Sequence, residues 1–151
     1  MIQPAASLEW LGAKGEKDGY PFVVRMRNVP LEHPLRRSYP HLLVATRSFD
    51  SPDGSGLPSD EQYASLAKYE EQVLDALEKA GLGILAIIRT HSGTIEHVLY
   101  VADAVDAAVF LVGRNVLHEE IALDAIEGDG WYEYDRTRAR LTFVVAANGG
   151  V

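Results

Sequence analysis

One stretch, residues 56–102, constrains the fold more than any other, because it combines a clearly marked helix with two apolar strands. The helix is predicted to begin at Ser59, since Gln62 stands at the spacing of a capping box, in which each side chain satisfies the other residue's free backbone amide. Apolar side chains then recur with helical spacing until Gly81, a residue suited to ending a helix. The pattern predicts about five helical turns with one apolar face.

Two apolar segments, 83–91 and 94–102, follow this helix and flank Ser92-Gly93, which is typical of a two-residue hairpin turn. Antiparallel partners keep a constant index sum across such a turn, so Arg89 is expected opposite Glu96. This opposite-charge pair is interpreted first as a surface ion pair that helps to set the strand register.

The alternation of the hairpin predicts one apolar face that packs on the helices and a wetter face opposite it. Leu85 is expected opposite Tyr100 on the wetter face, and Ala86 on the apolar one. The polar and aromatic side chains expected on the wetter face are Arg89, His91, Glu96 and Tyr100.

Two polar residues interrupt the apolar layer between helix and hairpin. Glu70 lies one turn from apolar positions on both sides, and His97 lies among apolar neighbours on the second strand. A buried carboxylate must be paired or protonated, so one hypothesis makes Glu70 and His97 an interior hydrogen-bonded pair. In the alternative, Glu70 flanks the helix and reaches water, and His97 is a core or edge histidine without a ligand role.

The other segments complete a single domain, since 151 residues match the usual size of one folded unit. An N-terminal arm, 1–19, precedes an extra strand over 20–27, where apolar side chains alternate. Three prolines make 28–40 a loop, because each lacks an amide donor. Branched and aromatic residues then predict a strand over 41–49.

A second helix is predicted to begin after Asp103, which can cap it, and to end near Leu117. A last strand over 121–125 and a C-terminal extension, 127–151, follow it, and residues 141–147 fit either a strand or a helical turn. The buried stripe expected for the second helix is Val105, Ala108, Val109, Val112 and Val116.

The element order from 41 to 126 is strand, helix, strand, strand, helix, strand. This order predicts an α+β fold of the ferredoxin-like βαββαβ type, a two-layer sandwich with an antiparallel sheet and two helices on one face. The extra N-terminal strand and the C-terminal extension are added to this core.

Composition excludes several classes of protein. The chain contains no cysteine, which rules out disulfides, thiolate metal sites and cysteine nucleophiles. A formal net charge of −8 works against binding to phosphate backbones, so no nucleic-acid partner is expected. No secretory signal and no apolar run of bilayer-spanning length are seen, so a cytoplasmic protein without membrane attachment is expected.

Recognised catalytic motifs are also missing from the sequence. It lacks a Gly-rich phosphate loop, a nucleophile elbow and a zinc-protease motif, and none of its five histidines has another at the i, i+4 spacing. We therefore assign no catalytic residue, no metal and no cofactor from the sequence.

Several short motifs together resemble the bacterial domain of unknown function 695 over nearly the whole chain. The residues that carry this resemblance are Gly19-Tyr20-Pro21 with Arg25 and Arg27, Gly56-Leu57-Pro58, Glu70-Glu71, the turn from Thr90 to Gly93, Leu99-Tyr100-Val101, and Asp129-Gly130-Trp131 with Tyr134. The resemblance implies a fold related to the ribonuclease E regulator B protein, which acts by binding an enzyme and not by catalysis. A shared fold does not by itself transfer a function.

Two hypotheses of function follow. The favoured one is a non-catalytic, intracellular regulatory module that binds a partner protein through its acidic helix surface or a face comprising Arg25, Arg27, Arg89, His91, Glu96 and Tyr100. The alternative is a small-ligand-binding protein or metal-assisted enzyme in which Glu70, His97, His91 and Tyr100 converge on one pocket. A homo-oligomer is compatible with either.

Overall fold

The computed structural model describes residues 8–51, 53–114 and 121–147, and its centre is a six-stranded antiparallel sheet. The strands stand in the order β1-β2-β4-β5-β3-β6. Their bounds are β1 Trp10–Lys17, β2 Tyr20–Arg27, β3 His41–Ser48, β4 Gly83–His91, β5 Thr94–Val101 and β6 Ala122–Ile126. The α+β class predicted from the sequence is confirmed.

Helices pack on both faces of the sheet. The first face carries the long helix predicted from the capping box, here α2 (Asp60–Tyr69), a π-helical segment (Glu70–Leu74) and α3 (Asp75–Lys79), together with α4 (Ala104–Gly113). The opposite face carries α1 (Leu35–Ser38) and α5 (Tyr132–Ala147). The expected two-layer arrangement is therefore extended by a third layer.

The helix start agrees with its sequence signature. The Ser59 side chain accepts a hydrogen bond from the Gln62 amide at 3.2 Å, and Gln62 Oε1 accepts one from the Ser59 amide at 2.8 Å. Apolar side chains of the three helical segments and of α4 then meet those of β3, β4 and β5. The buried members on the helical side are Leu66, Tyr69, Val73, Leu74, Leu77, Ala107 and Leu111.

The opposite face of the sheet, which carries α1 and α5, is more fully buried than the alternation predicted. Trp131 is buried and stacks on the Tyr100 ring, with 4.1 Å between ring centroids and 12° between the planes. Tyr134 of α5 packs edge-on against Trp131 and accepts a hydrogen bond from the Val29 amide at 2.9 Å. The C-terminal extension thus forms part of the core, and 141–147 continue a helix, not a strand.

The hairpin register is as predicted near the turn, where Arg89 pairs with Glu96. Farther along, a β-bulge between Leu85 and Ile87 shifts the pairing by one residue, so Leu85 lies opposite Leu99 and not opposite Tyr100. The bulge also changes the faces on which side chains lie: Leu85 joins the core beneath α2, whereas Ala86 joins the core beneath α5.

Helix α4 is rotated relative to its prediction. Its buried residues are Ala107 and Leu111. Three valines of the expected buried stripe, Val105, Val109 and Val112, are instead 65% to 69% exposed. Val116 and the expected helix end at Leu117 lie outside the described residues.

The segment expected to be an arm contains strand β1, which pairs with β2 through a tight turn at Asp18 and Gly19. Both turn residues have positive φ, 55° and 82°, as hairpin turns of this kind require. In the part of the chain that the structure describes, no helix is long and apolar enough to cross a membrane.

Candidate functional site

Glu70 and His97, the two polar residues of the predicted interior pair, meet in the layer between α2 and the sheet. His97 is fully buried, and its Nε2 lies 3.2 Å from Glu70 Oε1. The Arg25 guanidinium of β2 approaches the same carboxylate from the solvent side, at 3.3 Å from Oε1. Glu70 therefore links a buried histidine to a half-exposed arginine.

The backbone at Glu70 is unusual as well, because the π-helical segment begins at this residue. A π-turn widens the helix locally, and such turns are frequent at functional sites. The preceding residue, Tyr69, is buried, and its ring centroid lies 5.5 Å from that of His97. The Arg47 guanidinium packs on the same tyrosine, 4.0 Å from its ring centroid. A cation, a phenol, an imidazole and a carboxylate thus follow one another beneath α2.

Opposing influences act on the pKa of Glu70. Burial alone would raise it, but the hydrogen bond and charge of His97, together with the charge of Arg25, lower the pKa below its ordinary value. The carboxylate therefore accepts hydrogen bonds and does not donate them.

Arg25 and Arg27 of β2 lie on this same side of the sheet, which is covered by α2, α3 and α4. Arg27 forms a nearly buried ion pair with Glu78 of α3, at 3.2 Å, and its guanidinium lies 4.5 Å from the Trp10 ring centroid. Burial, together with the smaller effect of the nearby Asp75, raises the pKa of Glu78 to about 7, despite the opposing charge and hydrogen bond of Arg27.

The remaining residues of the predicted binding face lie on the opposite side of the sheet. Arg89 contacts Glu96 at 3.2 Å and also Glu133 of α5 at 2.6 Å. Burial would raise the pKa of Glu133, but Arg89 and Arg136 lower it overall. The expected cross-strand pair is thus part of a network that joins α5 to the sheet.

His91 and Tyr100 lie on this second side too. His91 is at the hairpin end, with Nε2 3.3 Å from the Lys17 carbonyl oxygen. Tyr100 is fully buried, donates a hydrogen bond to Asp129 at 2.8 Å and accepts one from the Tyr134 amide at 3.0 Å. Burial and the hydrogen bond to Asp129 raise the pKa of Tyr100.

The predicted site residues therefore divide between the two faces of the sheet. Arg25, Glu70 and His97 meet on the face of the sheet covered by α2, whereas His91 and Tyr100 lie on the opposite face and do not contact them. The pocket in which Glu70, His97, His91 and Tyr100 were expected to converge is not formed. Among the described residues, no group of three or more His, Asp or Glu side chains could hold a metal ion.

Sequence reasoning missed a cavity at the far end of the same helix–sheet layer. Its volume is about 390 Å³, and it lies between the end of β3 and the first turns of α2. Its lining includes the buried Arg47 and Leu66 and the exposed Glu61 and Ser65. The one available signal was Arg47, a charge within the apolar segment 41–49.

Sequence reasoning also missed the apolar surface of α4. Val105, Val109 and Val112 recur at spacings of four and three, so their exposed side chains share one face of the helix. Asp103 and Asp106, both exposed, stand at the first turn of the same helix. The surface is therefore apolar, with acidic groups at one end.

Comparison with known proteins gave one family match. The model described as "Family of unknown function (DUF695)" matches residues 9–134. No curated protein and no solved structure matched the chain.

Proposed function

Because the chain belongs to the DUF695 family, whose function is unknown, we propose from the structure that it is a non-catalytic regulatory module that binds a partner protein. The single observation that carries this proposal is the exposed apolar face of α4, which we call the valine face and which comprises Val105, Val109 and Val112. We place the protein in the cytoplasm as part of the same proposal.

The valine face fits a protein partner because it is contiguous and helical. Single exposed apolar residues are ordinary on protein surfaces, but a grouped set marks a contact site. Apolar residues at i, i+4 and i+7 on one helix are the anchors used when helices dock against a protein surface.

Charge indicates the chemistry of the partner. The chain carries a formal net charge of −8, and Asp103 and Asp106 lie beside the valine face. A partner with an apolar surface bordered by lysine or arginine would match both features. The same net charge keeps nucleic acid an unexpected partner.

The arginines predicted to form a binding face are engaged within the protein, which favours the valine face as the contact surface. Arg25, Arg27 and Arg89 each form an ion pair within the protein, with Glu70, Glu78 and Glu133 respectively. Their first role is to join the helices to the sheet.

We also propose that β3 to β6 form a ferredoxin-like unit. Strands β4, β5, β3 and β6 stand side by side in that order, which is the strand order of a βαββαβ fold, and the helices between them pack on one face. A distant relation to the ribonuclease E regulator B fold is part of this proposal and rests on the sequence resemblance alone.

The test is site-directed photo-cross-linking in the native host. A photoreactive residue at Val109 should give a discrete cross-linked product that contains a second protein, identified by mass spectrometry. The same probe at Leu31, which is 70% exposed on a loop, serves as the control and should not give that product.

The identified protein should then bind the purified chain, and Val109→Asp should weaken binding by about tenfold or more, which corresponds to about 1.4 kcal/mol. Tyr132→Asp, at another exposed apolar position, should leave binding unchanged. Equal cross-linking at both probe positions, or no loss of affinity in Val109→Asp, would contradict the proposal.

A further inference from the structure

The two edges of the sheet are unequally protected against pairing with another strand. β1, at one edge, contains the exposed Lys14, Glu16 and Lys17, and charged side chains, lysine above all, are a usual protection of edge strands. β6, at the other edge, reads ALDAI and contains no lysine, proline or glycine. Its pairing with β3 runs without a register shift, so no bulge turns this edge away from a further strand.

The outer edge of β6 offers backbone groups to a further strand. In the part of the chain that the structure describes, β3 is the one strand that pairs with β6. Every second residue of such an edge strand directs its amide and carbonyl away from its neighbour. All residues of β6 except Leu123 are exposed, so a partner can reach this edge. Extended segments add to edges of this kind through main-chain hydrogen bonds.

The two sides of this edge differ in chemistry. Leu123 lies opposite Ala45, which belongs to the core beneath α2 and α4, so this side of the edge is apolar. Asp124 is exposed and lies opposite Val44, which packs against the core beneath α5. Residues directly opposite each other in antiparallel strands share a face. A strand that adds to β6 therefore places alternate side chains beside an apolar surface and beside an acidic one.

The valine face lies on the same side of α4 as this edge. α3 contacts β4, whereas α4 contacts β3 and α3. In the strand order β4-β5-β3-β6, α3 therefore flanks α4 on the side that is farther from β6. The valines are 65% to 69% exposed, so they do not form the flank that contacts α3. The valine face is thus turned away from α3, and β6 lies in that direction.

Charge favours a basic segment over a second copy of this chain as the occupant of the edge. Each copy carries a formal net charge of −8, so two copies repel each other. Asp124 lies within β6 and Glu127 directly follows it, and both are exposed. Lysine or arginine side chains of an added strand complement these carboxylates, and its apolar side chains complement the opposite side of the edge.

We propose that β6 is a docking edge, at which an extended segment of the partner protein with alternating apolar and basic side chains adds as a further strand. The apolar side chains lie on the side of Leu123 and the valine face, and the basic side chains lie on the side of Asp124. This inference rests on the proposed function, because it specifies how the partner of the valine face is bound.

The test is an NMR titration of the full-length protein with a short capped peptide in which lysine and valine alternate, up to about 5 mM. We expect saturable binding with a dissociation constant below about 1 mM. Amide exchange should slow at least about fivefold at alternate residues of β6, whereas the amides of β1, at the other edge, should exchange as in the free protein. Intermolecular NOEs should join the valines of the peptide, and not its lysines, to Leu123.

Two comparison peptides separate strand pairing from simple charge attraction. A peptide of the same composition, with its lysines in one block and its valines in another, keeps the charge but loses the alternation. A peptide in which glutamate and valine alternate keeps the alternation but reverses the charge. Both should bind at least about tenfold more weakly than the alternating lysine peptide.

One pair of variants tests the acidic side of the edge. Asp124→Lys should weaken binding of the alternating lysine peptide at least about fivefold, because like charges then oppose each other. Glu16→Lys, at an exposed position of β1, makes the same change of charge at the other edge and is the matched control. It should bind within about twofold of the wild type, since distant surface charges are screened.

Absence of slowed exchange at β6, equal protection of β1, equal binding of the block peptide, or an equal loss in Glu16→Lys would each overturn the inference. If a partner is cross-linked at Val109 but the peptide does not protect β6, this inference fails and the proposed function stands. If the peptide protects β6 but no partner is cross-linked at Val109, the docking edge is supported and the failure lies in the proposed function.

Discussion

Glu70 Oε1 lies 3.2 Å from Nε2 of the fully buried His97, and the same carboxylate also contacts Arg25, whose side chain is 48% exposed. The two contacts differ in their surroundings although they share one acceptor. A hydrogen bond to a charged group in the interior contributes more to folding than an ion pair that water screens. The stability of this layer should therefore depend mainly on the histidine.

Replacement of Glu70 and of Arg25 tests whether the contact with His97 contributes more to stability than the contact with Arg25. Glu70→Ala should lower the free energy of unfolding by about 1–3 kcal/mol, because it leaves the buried His97 Nε2 without its partner. Arg25→Met should cost less than about 1 kcal/mol, since the arginine is half exposed. Urea unfolding of both variants measures the two costs, and a larger loss in Arg25→Met would show that the surface contact dominates.

Glu78 should make stability fall as pH rises. Its pKa in the folded protein is about 7, raised from 4.5, so the folded state binds the proton more tightly than the unfolded one. The contribution is fully present below pH 4.5 and is lost as pH rises through about 7. Thermal unfolding between these two pH values should show the decline, and Glu78→Gln, which resembles the protonated acid, should reduce its slope.

The contribution of Glu70 to stability changes with pH in the opposite direction, so the effects of Glu70 and Glu78 can be distinguished. Its pKa is lowered in the folded protein, so its contribution is present above the ordinary carboxyl pKa and is lost as pH falls through the lowered value. Glu71→Gln, at an exposed neighbouring position, is the control for a general charge effect and should leave the slope between pH 4.5 and 7 unchanged. An equal change of slope in Glu71→Gln and Glu78→Gln would contradict the assignment to Glu78.

The parts of the fold that the sequence predicts well are those with local signals. Ser59 and Gln62 mark a helix start through their own side chains, and Ser92-Gly93 fixes a hairpin turn through its backbone preference. The pairing of Arg89 with Glu96 follows directly from that turn. None of these predictions needs information about distant parts of the chain.

The predictions that were wrong concern features that depend on tertiary contacts. Helix α4 reads AVDAAVFLVG, which is apolar on nearly every side, so helical spacing cannot decide which face is buried. The bulge near Ala86 lies in a continuous apolar run, where a register shift leaves no mark in the pattern. Arg25 and Arg89 are predicted on one binding face, yet they contact helices on opposite faces of the sheet, at Glu70 and Glu133 respectively.

The hydroxyl of Tyr100 should contribute to the attachment of α5. It donates to Asp129 and accepts from the Tyr134 amide, so Tyr100→Phe leaves a buried amide and a partly buried carboxylate without this partner. We expect a cost of about 1–3 kcal/mol in the free energy of unfolding. Tyr132→Phe, at a position that is 68% exposed, is the control and should change stability by less than about 0.5 kcal/mol. A Tyr100→Phe variant as stable as the wild type would show that water replaces the hydroxyl without loss.

Gly56 and Gly54 form a matched pair for testing how the loop before α2 packs on the hairpin turn. Both have positive φ, 81° and 73°, so alanine is strained at either position. A Cβ at Gly56 would lie 2.9 Å from the Ser92 Cα, whereas one at Gly54 would meet nothing within 4 Å. The Gly56 carbonyl also accepts a hydrogen bond from the Gly93 amide at 2.8 Å, so the loop cannot move away without losing that bond.

Gly54→Ala should therefore cost only the conformational strain, about 1–2 kcal/mol. Gly56→Ala should cost at least about 1 kcal/mol more, because contact with the turn backbone is added to the same strain. Urea unfolding of the two variants gives the difference directly, and hydrogen exchange at the Gly93 amide should increase in Gly56→Ala alone. Equal costs would mean that the loop and the hairpin turn are not tightly packed at Gly56.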